Sequence, residues 1–109
     1  MLLSIQETDM KKDVDDTFFE RADALIALAN KHTEDTDRGS VSASMLYGVA
    51  RFNSWAAATG FPNGEDYKKA EDDIVAYFTE QYRLMLKEHI NDYAKNFDKY
   101  MGKIPATKH

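Results

Sequence analysis

Between Gly39 and Gly60 the chain reads GSVSASMLYGVARFNSWAAATG, and no other stretch restricts the fold as much, because it is apolar or small around most of a helical circumference. Placed on a helical wheel, Val41, Phe52, Met45, Ala56, Val49, Leu46, Ala57 and Ala50 fill about half of the circle. The remaining polar strip holds Ser44, Arg51 and Ser54, with Tyr47 and Trp55 beside it. So wide an apolar arc asks for neighbours on two sides, which predicts a buried central helix over residues 41–59. Ser40 or Ser42 suits its N-cap, and Gly60 is expected to take a left-handed conformation at its end. Phe61 follows as a closing apolar contact, and Pro62 prevents continuation.

The first helix is expected over about residues 16–33. Phe18, Phe19, Ala22, Leu25, Ile26 and Ala29 form a stripe of ordinary width, so this helix lies on the central one. Two entries fit it equally: a capping box of Thr17 with Glu20, or an Asp15 cap with Val14 stapled to Phe19. Residues 1–14 hold Leu2, Leu3, Ile5 and Met10 without a period and read as an N-terminal arm; residues 15–109 read as a single helical domain. KHTEDTDRG is the polar connection to the central helix. Its Asp35 and Asp37 suggest a calcium loop, but the remaining ligands are missing and a solvated turn is expected.

After FPNG, with Asn63 as N-cap and Glu65 and Asp66 suited to the positive end of the dipole, a helical pattern runs over residues 64–101. Gly102 is the expected stop. Such a rod measures about 50 Å, whereas the central helix reaches about 27 Å, so its second half outruns any partner in the chain. Up to Met85 one face carries Tyr67, Ala70, Ile74, Tyr77 and Phe78; beyond it Leu86, Ile90, Tyr93, Phe97 and Tyr100 share another. Either a bend near residues 87–90 folds the end back, or the second face meets another copy. The apolar patch favours a homodimer through Ile90, Tyr93, Phe97 and Tyr100. The anchors average slightly more than 3.6 residues per turn, which disfavours a left-handed coiled coil.

The expected architecture is therefore all-α: a three-helix bundle with a buried central helix and an overlong C-terminal helix. With 109 residues, five glycines and two prolines, the chain has room for one core and few of the turns an all-β fold needs. No segment is apolar enough to span a membrane, and the N-terminus lacks the layout of a signal peptide, so a cytoplasmic location is expected. Zero cysteines exclude disulfides and thiolate chemistry. A net charge of −5 argues against nucleic acid and anionic membranes as partners. Lys95, Lys99 and Lys103 at the C-terminal end read as solvation and dipole compensation.

His32, His89 and His109 lack a second ligand within a turn, no serine sits on a strand-turn-helix elbow, and no glycine-rich phosphate loop carries a lysine. No metal, cofactor or catalytic residue is expected, and a non-enzymatic self-associating or protein-interaction module is. The alternative is a small-molecule or anion-binding protein using the Arg51 face. There Arg51 stands four residues from both Tyr47 and Trp55, with Ser44 and Ser54 on the same strip. Asn53 falls inside the apolar arc and is expected to bond backbone or a side chain such as Asn30 across the helix pair; in the alternative reading Asn53 and Asn30 join Tyr47, Arg51, Trp55 and Ser44 as candidate binding residues.

FFERADALIALAN, followed after an acidic gap by VSASMLYGVARFNSWAA, resembles a small proteobacterial family, domain of unknown function 3144. The matching positions are Arg21, Ala22, Asp23, Ile26, Ala29 and Asn30, then Ser42, Ala43, Leu46, Tyr47, Ala50, Arg51, Phe52 and Asn53. The resemblance covers about residues 18–82 and implies a small helical protein of the bacterial cytoplasm; an unidentified protein partner is a separate expectation, from the reading as an interaction module. It carries no activity over.

Overall fold

The computed structural model describes residues 15–102. All regular elements among them are helices: α1 Phe18–His32, α2 Arg38–Ala58, α3 Gly64–Lys69, α4 Glu71–Lys95 and α5 Phe97–Met101. The chain divides into two compact units, Met1–Glu71 and Asp72–His109. The expected arm over residues 1–14 lies outside the described residues.

In the first unit, α1 is entered through Asp15. Its Oδ1 accepts from the Thr17 backbone N–H at 2.9 Å and from the Thr17 hydroxyl at 3.0 Å. The Arg21 guanidinium reaches back to both carboxylate oxygens, at 3.0 and 3.3 Å. Thr17 itself caps nothing with its side chain, so of the two possible entries Asp15 supplies the acceptor. α1 then packs on α2.

α2 begins three residues before the expected start. Asp37, in extended conformation, accepts from the Ser40 N–H at 2.7 Å and from the Ser40 hydroxyl at 3.1 Å. The serine expected to cap is thus a donor to an aspartate cap, which takes more of the exposed first-turn N–H charge than a hydroxyl does. A Cβ on Gly39 would stand 3.3 Å from the Asp37 Oδ1, so glycine leaves room for the carboxylate. At the other end Gly60 is not left-handed. The chain leaves through tight turns, Gly60 N–H to Ala57 and Phe61 N–H to Ala58, and Gly102 alone among the described residues has a positive φ, 68°.

α3 starts as expected on Asn63, whose Oδ1 accepts from the Asp66 N–H at 2.8 Å. It is tied to α2 by Tyr67, whose hydroxyl donates to the Ser54 carbonyl at 2.6 Å and accepts from the Ser54 hydroxyl at 2.8 Å. The Phe61 ring rests 5.3 Å from that of Tyr67.

Two expectations need correction. The single helix over residues 64–101 is three: the ladder is interrupted at Ala70, whose N–H turns tightly to Tyr67, and again at Asn96. Asn96 donates through its amide to the Asp92 carbonyl and carboxylate, so a side chain competes there for the helical acceptor. Nor is the central helix buried. Only Val41 and Ala57 of α2 are, while Met45, Val49 and Phe52 are exposed, Phe52 by 63%. The physical reason lies in lengths within the first unit: α1 gives α2 one long neighbour, and the six-residue α3 is too short to be the second.

Candidate self-association surface

In the second unit, α4 carries two opposed faces. On one, Ile74 and Gln81 are buried and Tyr77, Phe78 and Leu84 half-buried, and burial raises the Tyr77 phenol above its ordinary value. On the other, Val75, Thr79, Tyr82, Leu86, Ile90 and Tyr93 follow one another at spacings of four, three, four, four and three, the period of a straight α-helix. All six are exposed, Val75 and Ile90 by 56%. The result is an apolar stripe about 27 Å long between Val75 and Tyr93.

The stripe continues past the break. The Tyr93 and Tyr100 rings lie 4.5 Å apart, and the Tyr100 hydroxyl donates to the Asp92 carboxylate at 2.9 Å, so α5 keeps Tyr100 on the side of Tyr93. That carboxylate also holds the Asn96 amide at 2.9 Å. Hydrogen bonding to Asp92 raises the Tyr100 phenol, since the bond exists only while the phenol keeps its proton. Phe97 is exposed by 57%.

Ile90, Tyr93, Phe97 and Tyr100, expected as an interface, are therefore all exposed, and α4 runs unbroken through residues 87–90, where a bend was the alternative. Sequence reasoning missed the first half of the stripe. Ranking residues by shared angle up to Met85 gave weight to the Ile74 face; the spacing of Val75, Thr79, Tyr82 and Leu86 was there to find.

The Arg51 face is open rather than cupped. Ser44, Tyr47, Arg51 and Trp55 are all exposed. On that face Trp55 pairs with Phe52 at 5.5 Å, and the Ser54 hydroxyl is committed to Tyr67. Arg51 forms no ion pair among the described residues, whose pairs are Arg21–Asp15, Lys68–Glu71 and Arg83–Glu80. Asn53 is half-buried and Asn30 exposed, and no hydrogen bond joins them; with α2 so open, the Asn53 amide reaches water and needs no partner across the pair. Among the described residues no group of three or more acidic or histidine side chains could hold a metal ion. Asp37, one of the two carboxylates that suggested calcium, is spent on the helix cap and held below the usual carboxylate range by the Ser40 N–H. No described helix is long and apolar enough to cross a membrane.

Compared with known proteins, the sequence matches the family described as "Protein of unknown function (DUF3144)" over residues 18–94. The fold is similar to the NMR structure of the protein NB7890A from Shewanella sp, at a TM-score of 0.68 and 33% identity, covering 84% of this chain and 97% of that one. No curated protein matches.

Proposed function

The chain belongs to the DUF3144 family, and from that premise we propose that it is a non-enzymatic, self-associating helical module of the cytoplasm, forming a homodimer through the outer stripe of α4 and α5. One observation carries the proposal: a continuous exposed row from Val75 to Tyr100, aligned on one side of the second unit. Apolar surface of that extent gains free energy when covered, at about 25 cal/mol per Å² removed from water. The exposed Met45, Val49 and Phe52 of α2 add apolar surface of the same kind.

Light scattering behind size-exclusion chromatography tests this. The expected mass is twice 12.5 kDa for the natural sequence and 12.5 kDa for Ile90→Lys, with Asn91→Lys, which points away from the stripe, still dimeric. A natural protein that elutes at the single-chain mass over the whole accessible concentration range overturns the proposal.

A second reading, anion capture at Arg51, is favoured by the absence of an ion pair on that side chain among the described residues. Titration with inorganic phosphate, followed by the indole N–H resonance of Trp55, tests it. A resonance that does not move, or moves equally in Arg51→Gln, refutes it.

A further inference from the structure

We infer that Tyr67 is a latch that holds α3 and α4 apart at Ala70, and that once it leaves Ser54 the two join into one helix over residues 64–95. The two interruptions within residues 64–101 differ in cause. At Asn96 a side chain takes the helical acceptor, through the amide bonds to Asp92. Ala70 has no polar side chain with which to compete. Alanine is the strongest helix former, and residues 65–101 contain neither glycine nor proline. Ala70 also precedes the first residue of α4, where alanine is among the poorest caps for the N–H groups of a first turn.

Burial runs through the interruption at helical spacing. Tyr67, Ala70, Ile74, Phe78 and Gln81, three or four residues apart, are buried or half-buried, and the residues between them, Tyr77 apart, are exposed. Charge favours neither form. Lys68 and Lys69 suit the end of α3, and Glu71, Asp72 and Asp73 the start of α4. Yet the Lys68–Glu71 pair, at 2.6 Å, has a three-residue spacing that serves one continuous helix equally well.

On the side of the break stands Tyr67. Its hydroxyl makes both bonds to Ser54, at 2.6 and 2.8 Å, and its ring lies 5.3 Å from that of Phe61. These partners belong to α2 and the turn after it, so the cause of the break is tertiary. In one straight helix Tyr67 would instead stand two turns before Ile74, on the same face. One side chain with two places to go, on a segment with two backbone arrangements, is the form of a conformational switch.

Scalar couplings across hydrogen bonds, measured by NMR on the full chain, tell the two forms apart. The Tyr67 carbonyl accepts from the Ala70 N–H at 3.0 Å in the broken form, and from the Glu71 N–H in a continuous helix. The natural protein should couple residue 67 to Ala70. Tyr67→Phe keeps the ring, loses both bonds to Ser54, and should couple residue 67 to Glu71; Tyr67→Leu repeats the test should the first variant not fold. A folded variant that keeps the coupling to Ala70 overturns the inference, and so does one in which residues 64–69 lose their helical chemical shifts. Self-association does not enter, so a monomeric protein leaves this test intact.

Discussion

The Tyr100 hydroxyl donates to the Asp92 carboxylate at 2.9 Å, eight residues back and across the interruption at Asn96. It fastens α5 to the end of α4 although the backbone ladder between them is broken. The bond lifts the Tyr100 phenol above 10, so the folded form favours the protonated ring. A group raised in the folded state gives its full contribution below its unfolded value and loses it as pH rises through the folded one. The end of the stripe should accordingly loosen only above pH 10. Difference absorbance of ionised tyrosine between the natural protein and Tyr100→Phe should show a group titrating late among the six tyrosines. Asp92→Asn should bring it earlier, and an unchanged titration would remove the contact.

Asp15 gives the opposite sign. Arg21, then Thr17, hold its carboxyl down to about 2 against an ordinary 3.8. A group lowered in the folded state stabilises above its unfolded value, and that contribution is lost as pH falls from about 4 towards 2. The first turn of α1 should fray in that window. Carboxyl NMR titration of Arg21→Ala should find Asp15 raised towards its ordinary value but still below it, since Thr17 keeps its two bonds, and no difference between the two proteins would refute the pairing.

Gly48 sits inside α2, where an added Cβ meets nothing within 4 Å. Gly48→Ala should therefore stabilise the monomer by about 1 kcal/mol, the usual gain of alanine over glycine in a helix interior. Chemical denaturation measures it. A clear loss would mean that a neighbouring molecule approaches the α2 backbone closely at Gly48.

The start of α3 rests on its Asn63 cap, and its tie to α2 on Tyr67. Asn63→Ala removes the acceptor of the Asp66 N–H and should cost about 1 kcal/mol. Tyr67→Phe removes both bonds to Ser54, for a loss of about 1 to 2 kcal/mol. Should both variants match the natural protein in thermal midpoint, the α2–α3 contact contributes nothing to stability.

Much of this molecule could be read before any coordinates. Helical class, a polar connection within KHTEDTDRG (residues 33–37, shorter at both ends than expected), the Asn63 cap and the Gly102 stop follow from local chemistry, since a cap or a left-handed glycine depends only on residues within one turn. Even so, local rules allowed more than one answer. Asp37 outcompeted Ser40 and Ser42, and Asn96 broke a helix that propensity alone would have continued.

The larger misreading concerned α2. Its periodicity states which residues share a face, and in this the wheel of Val41, Met45, Val49 and Phe52 was sound. What stands against that face depends on how long the other helices are and where they are interrupted. Only the tertiary structure decided that Phe52 stays open, that α4 buries Ile74 and Gln81 while presenting Val75 through Tyr93, and that Asp92 holds Tyr100 in line with them. A sequence determines the face through the angle between successive residues; the neighbour on that face is set by segments far along the chain, which no local spacing encodes.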